Sequence, residues 1–526
     1  MAQQQSRANE FRLPLGGWNT RDSLSTMNDD PQKAYAVQME NWIPGLSTIV
    51  SRYGTKLWNL LSGVKTIHPY NSSVNKLFGF TDAGVFDVSV EGVVTDQSVA
   101  ITSGKMRAIN FSAANIQYLI CCNGVDKVLI YNGSIWKFLD AGSTPSLAFP
   151  GGSTFTSADI IVIKEHQTRL WMLPKTGLSA YYLDVAAIGG TLTEFPMGSI
   201  FRRGGKFVDM ETWTVDGGTG TGDYFAFLTS EGEVAIYSGY DPTQATTWGW
   251  VGVFFVGVPV GDRPLQRYGG DMVILTLNGI GMLSKLMASA EVSNAAMLSD
   301  TINKSFAYVT SLYQTNYGWQ IHESPKDNLF LVNIPTGDGT NSEQYVMYNL
   351  TNTWTKFTGL DCTCMAQFKD ELMFATPSGK ISRYTSDAQY TDLSNPFRLF
   401  IQFAYSFLGT KGNKKKPVVL KPLLRITNVK AQIYEMSGLT WGIDKDFANR
   451  PEISEVNEVP FIYADNIGTG LIGGTQIGAH ELVMQSNHAI ACMPGFAFSP
   501  QVEMYSQGSR WEFMGLQALV VYGNFL

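Results

Sequence analysis

The stretch YLICCNGVDKVLIY, residues 118–131, contains two short apolar runs that flank a turn around Gly124 and end on an aromatic residue. Apolar β-branched and aromatic residues suit the pleated surface of a strand, and glycine accepts the positive φ that tight hairpin turns require. The stretch therefore predicts a β-hairpin.

The same phrase occurs seven times along the chain. The other six run from Leu77 to Phe86, Leu170 to Tyr182, Tyr224 to Tyr237, Met272 to Leu283, Leu329 to Tyr348 and Leu372 to Tyr384, around Gly84, Gly177, Gly232, Gly279, Gly337 and Gly379. Successive turn glycines lie 40, 53, 55, 47, 58 and 42 residues apart. A step of roughly 40 to 55 residues is the length of one four-stranded blade in a β-propeller. The repeat predicts an all-β propeller of six or seven blades, because one hairpin could belong to a flanking domain.

Composition agrees with this fold class. Of the 526 residues, 44% are apolar, 12% are aromatic and only 16% are charged, which favours short strands and tight turns over helices rich in Glu and Lys. The length allows two to four domains. The formal net charge of -7 argues against a protein that grips DNA, because non-specific affinity for nucleic acid comes from Lys and Arg.

Neither a secretory signal nor a membrane span is expected, since no basic stretch precedes an apolar core and no apolar run approaches roughly 20 residues. The longest apolar run, Val251 to Val260, predicts a buried strand, with a loop that touches a membrane or a partner as the alternative. The five cysteines form neither a disulfide framework nor a zinc-binding spacing, so we expect no metal and no cofactor; they lie at positions 121, 122, 362, 364 and 492.

Three regions differ in character. Residues 1–60 are predicted to form an N-terminal arm that contributes to a platform, residues 61–396 the propeller, and residues 397–526 a C-terminal β domain. In the arm, the stretch from Asp30 to Met39 predicts a short helix that begins behind the Asp30 cap.

A helical insertion is predicted within the propeller near residues 289–309. Four apolar residues recur there at helical spacing and form one stripe: Leu298, Ile302, Phe306 and Val309. Such a helix would pack on the propeller rim or contact a neighbouring subunit.

Several units carry a Tyr, a turn, and then Trp and Phe. The three examples are Tyr131 with Trp136 and Phe138, Tyr237 with Trp248 and Phe254, and Tyr348 with Trp354 and Phe357. Each large ring buries roughly 150–250 Å², so stacking of these rings would hold neighbouring blades together.

No motif of a known enzyme chemistry is present, and we expect no catalytic residues. The chain has no phosphate loop, no Gly-x-Ser-x-Gly and no His-Glu-x-x-His, and its five histidines are scattered. Glycosidase propellers need two carboxylates roughly 5–9.5 Å apart, which folding could bring together from distant blades. The most basic segment, Lys414, Lys415 and Lys416, is interpreted either as a solvated hairpin turn that blunts a sheet edge or as a contact for phosphate or an acidic partner.

The opening of the chain resembles tail nozzle proteins of short-tailed bacteriophages, also called tail tubular protein B-like proteins. The resemblance rests on Gly17-Trp18-Asn19-Thr20-Arg21-Asp22, followed by Glu40-Asn41-Trp42-Ile43-Pro44 and Ser51-Arg52-Tyr53-Gly54. Shorter phrases extend it over most of the chain: Arg169-Leu170-Trp171, Leu298-Ser299-Asp300, Lys414 to Lys416, and Trp511 to Gly523.

This resemblance implies a β-propeller with a platform assembled from both terminal segments, in a structural protein of the virion tail assembled in the host bacterial cytoplasm. It implies a homohexameric ring below the adaptor and portal, docking surfaces for tail fibres or spikes, and a lumen that genome DNA traverses without specific binding. The candidate interface residues are Trp18, Arg21, Trp42, Arg52, Lys414, Lys415 and Lys416.

Two other functions are compatible with a propeller. A carbohydrate-active protein would line a central pocket with paired acids and aromatic residues, whereas a receptor-binding protein would expose an aromatic patch and bind without turnover.

Overall fold

The computed structural model describes residues 6–30, 32–216, 221–288, 297–388, 390–409, 411–427, 440–447, 471–472, 475–476, 481–485, 488–489, 494–506 and 510–523. Strands dominate these residues. Cys492, His480 and residues 289–296 of the predicted insertion lie outside the described residues.

The strands are numbered along the chain. The first five are β1 (Ser6–Phe11), β2 (Ala36–Glu40), β3 (Trp42–Pro44), β4 (Ile49–Ser51) and β5 (Gly54–Leu60).

Seven antiparallel sheets follow, and we number them as blades 1 to 7. Blade 1 comprises β6 (Val64–Tyr70), β7 (Lys76–Thr81), β8 (Gly84–Val90) and β9 (Val93–Asp96). Blade 2 comprises β10 (Arg107–Ala113), β11 (Ile116–Cys122), β12 (Val128–Tyr131) and β13 (Trp136–Leu139). Blade 3 comprises β15 (Ile160–His166), β16 (Arg169–Pro174), β17 (Ser179–Tyr182) and β19 (Thr193–Pro196), while β14 (Leu147–Ala148) and β18 (Gly190–Thr191) pair beside it.

Blade 4 comprises β20 (Phe207–Asp216), β21 (Thr221–Thr229), β22 (Glu233–Gly239) and β23 (Trp248–Phe255), and blade 5 comprises β24 (Leu265–Tyr268), β25 (Asp271–Thr276) and β26 (Gly279–Met282). Blade 6 comprises β27 (Gln320–Ser324), β28 (Leu329–Thr336), β29 (Asn341–Tyr348) and β30 (Thr353–Phe357). Blade 7 comprises β31 (Cys364–Phe368), β32 (Glu371–Ala375), β33 (Lys380–Thr385) and, as its fourth strand, β5.

The blades form a closed β-propeller. The innermost strands of consecutive blades contact one another from β10 through β15, β20, β24, β27 and β31 to β6. Between blades 1 and 2, His68 Nε2 lies 2.8 Å from the carbonyl oxygen of Met106, and Asn110 Nδ2 donates to Pro69 O at 2.9 Å. The described residues therefore contain seven blades, whereas the sequence predicted either six or seven.

Each of the seven repeated phrases forms the central hairpin of one blade, as the repeat predicts. Six of the turn glycines have positive φ, from 60° at Gly337 to 137° at Gly279. Gly84 does not adopt a positive φ; a Cβ there would lie 2.9 Å from the carbonyl oxygen of Val99, so close packing, not turn geometry, favours glycine.

The predicted Tyr and Trp contacts occur in two blades. The rings of Tyr131 and Trp136 lie 4.9 Å apart, and those of Tyr237 and Trp248 stack at 5.4 Å. Trp354 instead meets Phe330 at 6.2 Å, because its register on β29 places it opposite Met347.

The platform is built from both terminal segments. Its C-terminal strands are β34 (Phe397–Phe403), β35 (Lys415–Thr427), β36 (Thr440–Lys445), β37 (Leu471–Ile472), β38 (Thr475–Gln476), β39 (Glu481–Gln485), β40 (His488–Ala489), β41 (Phe498–Ser506) and β42 (Arg510–Tyr522). One sheet runs β3-β4-β42-β35-β39, and β1 adds to β42. The other is an extension of blade 6, in the order β27-β28-β29-β30-β2-β34-β41-β36, so blade and platform share one sheet.

The two platform sheets enclose an aromatic core. The ring of Phe513 lies 6.4 Å from Trp42, 5.7 Å from Phe403 and 6.3 Å from Trp441. Strands from both ends of the chain therefore fold together around one apolar cluster.

The described residues contain two α-helices, α1 (Leu283–Ala288), which precedes the predicted insertion, and α2 (Asn303–Tyr313), which overlaps its end. Helix α2 follows a 3-10 turn, Asp300–Ile302, and buries Phe306 and Val309 in the core that blades 5 and 6 share with the platform. Two further 3-10 turns lie at Ser157–Asp159 and Ser386–Ala388. The predicted helix is therefore present, although it begins later and extends beyond Val309.

The helix predicted from Asp30 to Met39 is wrong. Asp30 Oδ1 does accept the backbone N–H groups of Gln32 and Lys33, at 2.7 and 3.2 Å, as a helix cap would. From Ala36, however, the chain forms β2 between β30 and β34. Pairing on both sides and burial of Met39 outweigh the local helical pattern.

Ring closure by β5 gives a first prediction. A Cβ on Gly54 would lie 2.1 Å from Thr391 O and 2.6 Å from Thr391 N, both backbone atoms that cannot move aside easily. We expect Gly54→Ala to lower the free energy of unfolding by about 1–3 kcal/mol in urea titrations followed by tryptophan fluorescence. Gly151→Ala is the matched control, because a Cβ there meets nothing within 4 Å. Equal free energies of unfolding for the two variants would contradict the conclusion that the close contact between Gly54 and the backbone of Thr391 requires glycine.

Candidate functional site

Most of the candidate interface residues in the opening phrases lie where the propeller joins the platform. Arg52 is completely buried, and its guanidinium donates to Asn41 Oδ1 at 2.7 Å, Tyr53 O at 2.8 Å and Asp392 Oδ1 at 3.0 Å. It also lies 3.8 Å from the ring centre of Phe397 on β34. One side chain thus ties the arm, the loop after blade 7 and the platform together.

Trp18 and Trp42 belong to the same core. Trp18 meets Tyr345 edge to face at 5.0 Å, and Trp42 is fully buried against Phe513. Trp18, Trp42 and Arg52 therefore hold this fold together and are not available for contact with another copy, which corrects their assignment as interface residues.

Arg21 does lie at the surface. Its guanidinium pairs with Asp22 at 2.9 Å and with Asp300, while the backbone N–H of Thr20 donates to Thr301 O at 2.8 Å. The hydrogen bond from Arg21 lowers the pKa of Asp22. The opening turn is thereby fastened to the start of α2, and Arg21 remains a candidate for an external contact.

The three lysines separate into two kinds. Lys414 and Lys416 are exposed, whereas Lys415 is buried, and burial lowers its pKa. Lys415 pairs with Tyr522 and Lys416 with Val521 across β35 and β42. The segment is therefore the start of a strand, and only Lys414 and Lys416 present their charges to solvent.

The propeller axis contains carboxylates held in ion pairs. Asp209 lies 3.2 Å from Arg107, and Glu211 pairs with Arg267 at 3.1 Å and with Lys164. Burial alone would raise the pKa of Glu211, but the charges of Lys164 and Arg267 outweigh it and keep the pKa below its ordinary value. A glycosidase acid needs a raised pKa, so this carboxylate is unsuited to that role.

The four described cysteines are buried, and burial lowers the pKa of His68, His166 and His322. Cys121, Cys122, Cys362 and Cys364 are free and buried, and burial raises the pKa of Cys122 to about 12. Burial lowers the pKa of His68 to about 3 and that of His322 to about 4. Over the described parts of the chain, no group of three or more His, Cys, Asp or Glu side chains is arranged to hold a metal ion, and no helix is long and apolar enough to span a membrane.

Two apolar strips lie on the outer rim of the propeller. We define strip one as the exposed residues Leu57, Leu60, Val90, Val93 and Val94, on β5, β8 and β9. We define strip two as Trp250, Val251, Phe255 and Val258, on β23 and the loop after it. Leu60 is 64% exposed and Trp250 is 58% exposed.

Strip two corrects the prediction that Val251 to Val260 forms a buried strand. Residues up to Phe255 do form a strand, but β23 is the outermost strand of blade 4 and leaves several apolar side chains in solvent. Strip one lies at the boundary between blades 7 and 1. In a ring of seven blades that boundary is opposite blade 4, so the two strips lie on opposite sides of the propeller.

No family model matches the chain, and no curated protein matches it. Solved structures with a similar fold include BBS1N in complex with ARL6DN, at 12% sequence identity and a TM-score of 0.39, where the match covers 63% of this chain and 98% of the other. YCF48 bound to D1 peptide is 12% identical with a TM-score of 0.34, covering 66% and 98% of the two chains. Raptor from Chaetomium thermophilum is 12% identical with a TM-score of 0.33, covering 63% of this chain and 29% of the other. All three TM-scores are below 0.5, and at this level of similarity the matches carry no argument about what this chain does.

The Arg52 junction gives a second prediction. Removing the guanidinium leaves the Asp392 carboxylate without its partner in a largely buried position, so we expect Arg52→Leu to lower the free energy of unfolding by about 3–5 kcal/mol. The control is Lys56→Met in the exposed pair Lys56–Glu91, which should change stability by less than about 0.5 kcal/mol. If Arg52→Leu lowers the free energy of unfolding by no more than this control does in urea titrations, the stability of the junction does not depend on Arg52.

A third prediction concerns Asp444 on β36. Its Oδ2 accepts the side-chain amides of Gln402 and Gln501, at 3.0 and 2.6 Å, and burial raises its pKa to about 6. The folded state therefore binds a proton more tightly than the unfolded state, and this contribution to stability is lost as the pH rises through about 4 to 6.

An Asn at this position keeps the acceptor oxygen but cannot ionise. We expect Asp444→Asn to be more stable than the wild type by about 1–3 kcal/mol near pH 8, and the difference to vanish below about pH 4. Urea titrations at a series of pH values measure it. A difference that does not depend on pH would show that the pKa of Asp444 is the same in the folded and the unfolded state.

Proposed function

We propose that this protein is the tail nozzle subunit of a short-tailed bacteriophage, a structural protein that forms a closed ring through which genome DNA leaves the virion. The observation that carries the proposal is the pair of apolar strips on opposite sides of the propeller, together with the resemblance of the opening phrases to this family. The resemblance supplies the number of copies, six.

A closed ring needs two different, complementary patches on each subunit. Head-to-tail contacts close into a ring when the rotation between copies permits it, and otherwise give filaments. Strip one and strip two differ in composition, since one is aliphatic and the other contains Trp250 and Phe255. Their positions let strip one of one copy face strip two of the next.

The path for DNA would lie between copies and not along the propeller axis. The axis is occupied by ion pairs such as those of Glu211 with Lys164 and Arg267. The net charge of -7 suits a conduit wall that does not retain the polyanion passing along it. In this proposal the platform would face the adaptor and portal, and tail fibres or spikes would bind outside.

The test measures the mass of the assembly that the protein forms alone, and of the assembly that it forms after mixing with the portal and adaptor of the same virus. We expect six copies on the adaptor for the wild type, and none for Leu60→Glu or Trp250→Glu, because a charge in either strip would be buried at every contact. Val185→Glu, on an exposed residue of blade 3 outside both strips, should assemble normally.

A mixture of the two strip variants sharpens the test. Leu60→Glu keeps strip two intact and Trp250→Glu keeps strip one intact. In a mixture, strip one of a Trp250→Glu copy can therefore bind strip two of a Leu60→Glu copy. The two strips left over in that pair both carry a Glu, so assembly should stop at pairs. A wild type that stays monomeric with the adaptor present would reject the proposal. Assembly of both variants would reject these strips as the contact.

A second candidate function is receptor binding. The exposed aromatic side chains Trp250 and Phe255 are what such a protein would present to a glycan or surface protein. Binding of the wild type to host cells, lost in Trp250→Ala while the ring still forms, would favour this function. Hydrolysis of a host glycan would favour a carbohydrate-active protein instead.

A further inference from the structure

A cavity of about 660 Å³ opens at the mouth of the propeller axis. It lies on the face that carries the loops leading into the innermost strands and the turns of the central hairpins. Residues from blades 1 to 6 line it, from Asp82 in the turn of blade 1 to Tyr317 just before β27. Its volume is in the range of sites that hold small molecules, roughly 300–1,000 Å³.

The lining is cationic in a chain whose net charge is negative. Five basic side chains reach this cavity, against the two carboxylates Asp82 and Asp262; the basic residues are Lys105, Arg107, Lys175, Lys206 and Arg263. Some of these charges are compensated nearby. Arg107 pairs with Asp209 at 3.2 Å, and Lys175 pairs with Asp159 at 2.6 Å.

Among the described residues, three of the lining cations have no carboxylate partner. Lys105, Lys206 and Arg263 take part in no ion pair among the residues that the structure describes, whereas Asp82 lies 3.9 Å from Lys65. The Lys105 ammonium lies 4.4 Å from the ring centre of Tyr317, and Lys206 is exposed at the rim. The carboxylate of Asp126, which accepts hydrogen bonds from Thr102 and Ser103, lies beside the lining, so the positive charge of the mouth resides mainly in Lys105, Lys206 and Arg263.

Arg263 is the fixed charge at the inner end of the cavity. Its guanidinium donates to neutral acceptors: Gln320 Oε1 at 3.2 Å, Met106 O at 3.1 Å, and the Tyr317 hydroxyl at 3.3 Å. The neighbouring carboxylate of Asp262 is the acidic lining group beside it. A partly buried cation held by neutral groups creates a positive potential, since the low dielectric of the protein screens it poorly.

We propose that this cavity binds a small multivalent oxyanion, of the kind carried by phosphate esters and polycarboxylates. Lys105 and Lys206 would contact the anion at the rim, the Ser103 hydroxyl would donate a hydrogen bond, and the Arg263 guanidinium would supply positive charge at the inner end. A concave cavity of this volume favours a small molecule over a nucleic acid duplex. This site lies on the axis, apart from both apolar strips, so it does not depend on ring assembly.

Titration calorimetry with pyrophosphate and with citrate tests the proposal on the full-length chain. We expect one saturable site per chain whose affinity falls with added salt, because charge-assisted contacts dominate it. Lys206→Glu and Lys105→Glu should each weaken binding by about tenfold or more, since each removes a charged contact and adds a repulsive one. Both lysines are exposed, so folding should survive either change.

Lys137→Glu is the matched control, because Lys137 is an exposed lysine on β13 that does not line the cavity. It should change the affinity by less than about twofold, as expected for a screened distant charge. Absence of saturable binding to the wild type, or equal weakening by Lys137→Glu and Lys206→Glu, would overturn the proposal. Tighter binding of a DNA duplex than of pyrophosphate would assign the mouth to nucleic acid instead and would also overturn it.

Discussion

The closure of the propeller by β5 is the constraint on which the rest of the structure depends. Blade 7 has three strands of its own, and its outer edge is completed by a strand from the N-terminal arm, with Lys380 opposite Leu60 and Thr385 opposite Gly54. An unpaired edge would leave backbone donors and acceptors exposed beside the first blade. Because β5 is fixed there, the residues just before it are fixed too. Arg52 is drawn into the junction with Asp392, and β2 to β4 are placed against the C-terminal strands that form the platform.

Much of this architecture could be predicted from the sequence because its information is local. The seven hairpins are encoded within short windows, by apolar runs around a glycine, and their spacing indicates the repeat. The errors arose where distant parts of the chain decide the outcome. Residues 36–39 have a helical pattern but become a central strand between β30 and β34. Val251 and its neighbours are apolar enough for a core, yet they lie on the outermost strand of a blade, because apolar content does not reveal a strand's place in its sheet.

The candidate site was harder to predict for a related reason. Trp18, Trp42 and Arg52 stand out in the sequence because they are large or charged residues in a recognisable phrase, and such residues are equally suited to a buried junction and to an external contact. Only the fold distinguishes the two. The basic mouth had only a weak sequence signal, since its charges come in ones and twos from the loops of different blades, and Arg263 lies beside an acidic residue in the chain. Lys206 follows Arg202 and Arg203, and Lys105 precedes Arg107, but neither short cluster is as basic as Lys414 to Lys416, which starts a strand of the platform.

The pairing of β5 with β33 also has a consequence for biosynthesis. Roughly 320 residues separate Leu60 from Lys380, so at about 5–20 residues per second the ribosome needs tens of seconds after making one strand to make its partner. Blades 1 to 6 can fold in order as they emerge, but the arm must wait, and β1 waits longer than β5, because its partner β42 is made after β33. During translation the arm is therefore exposed to chaperones and proteases, and premature termination anywhere before β33 leaves an open arc of blades in place of a ring.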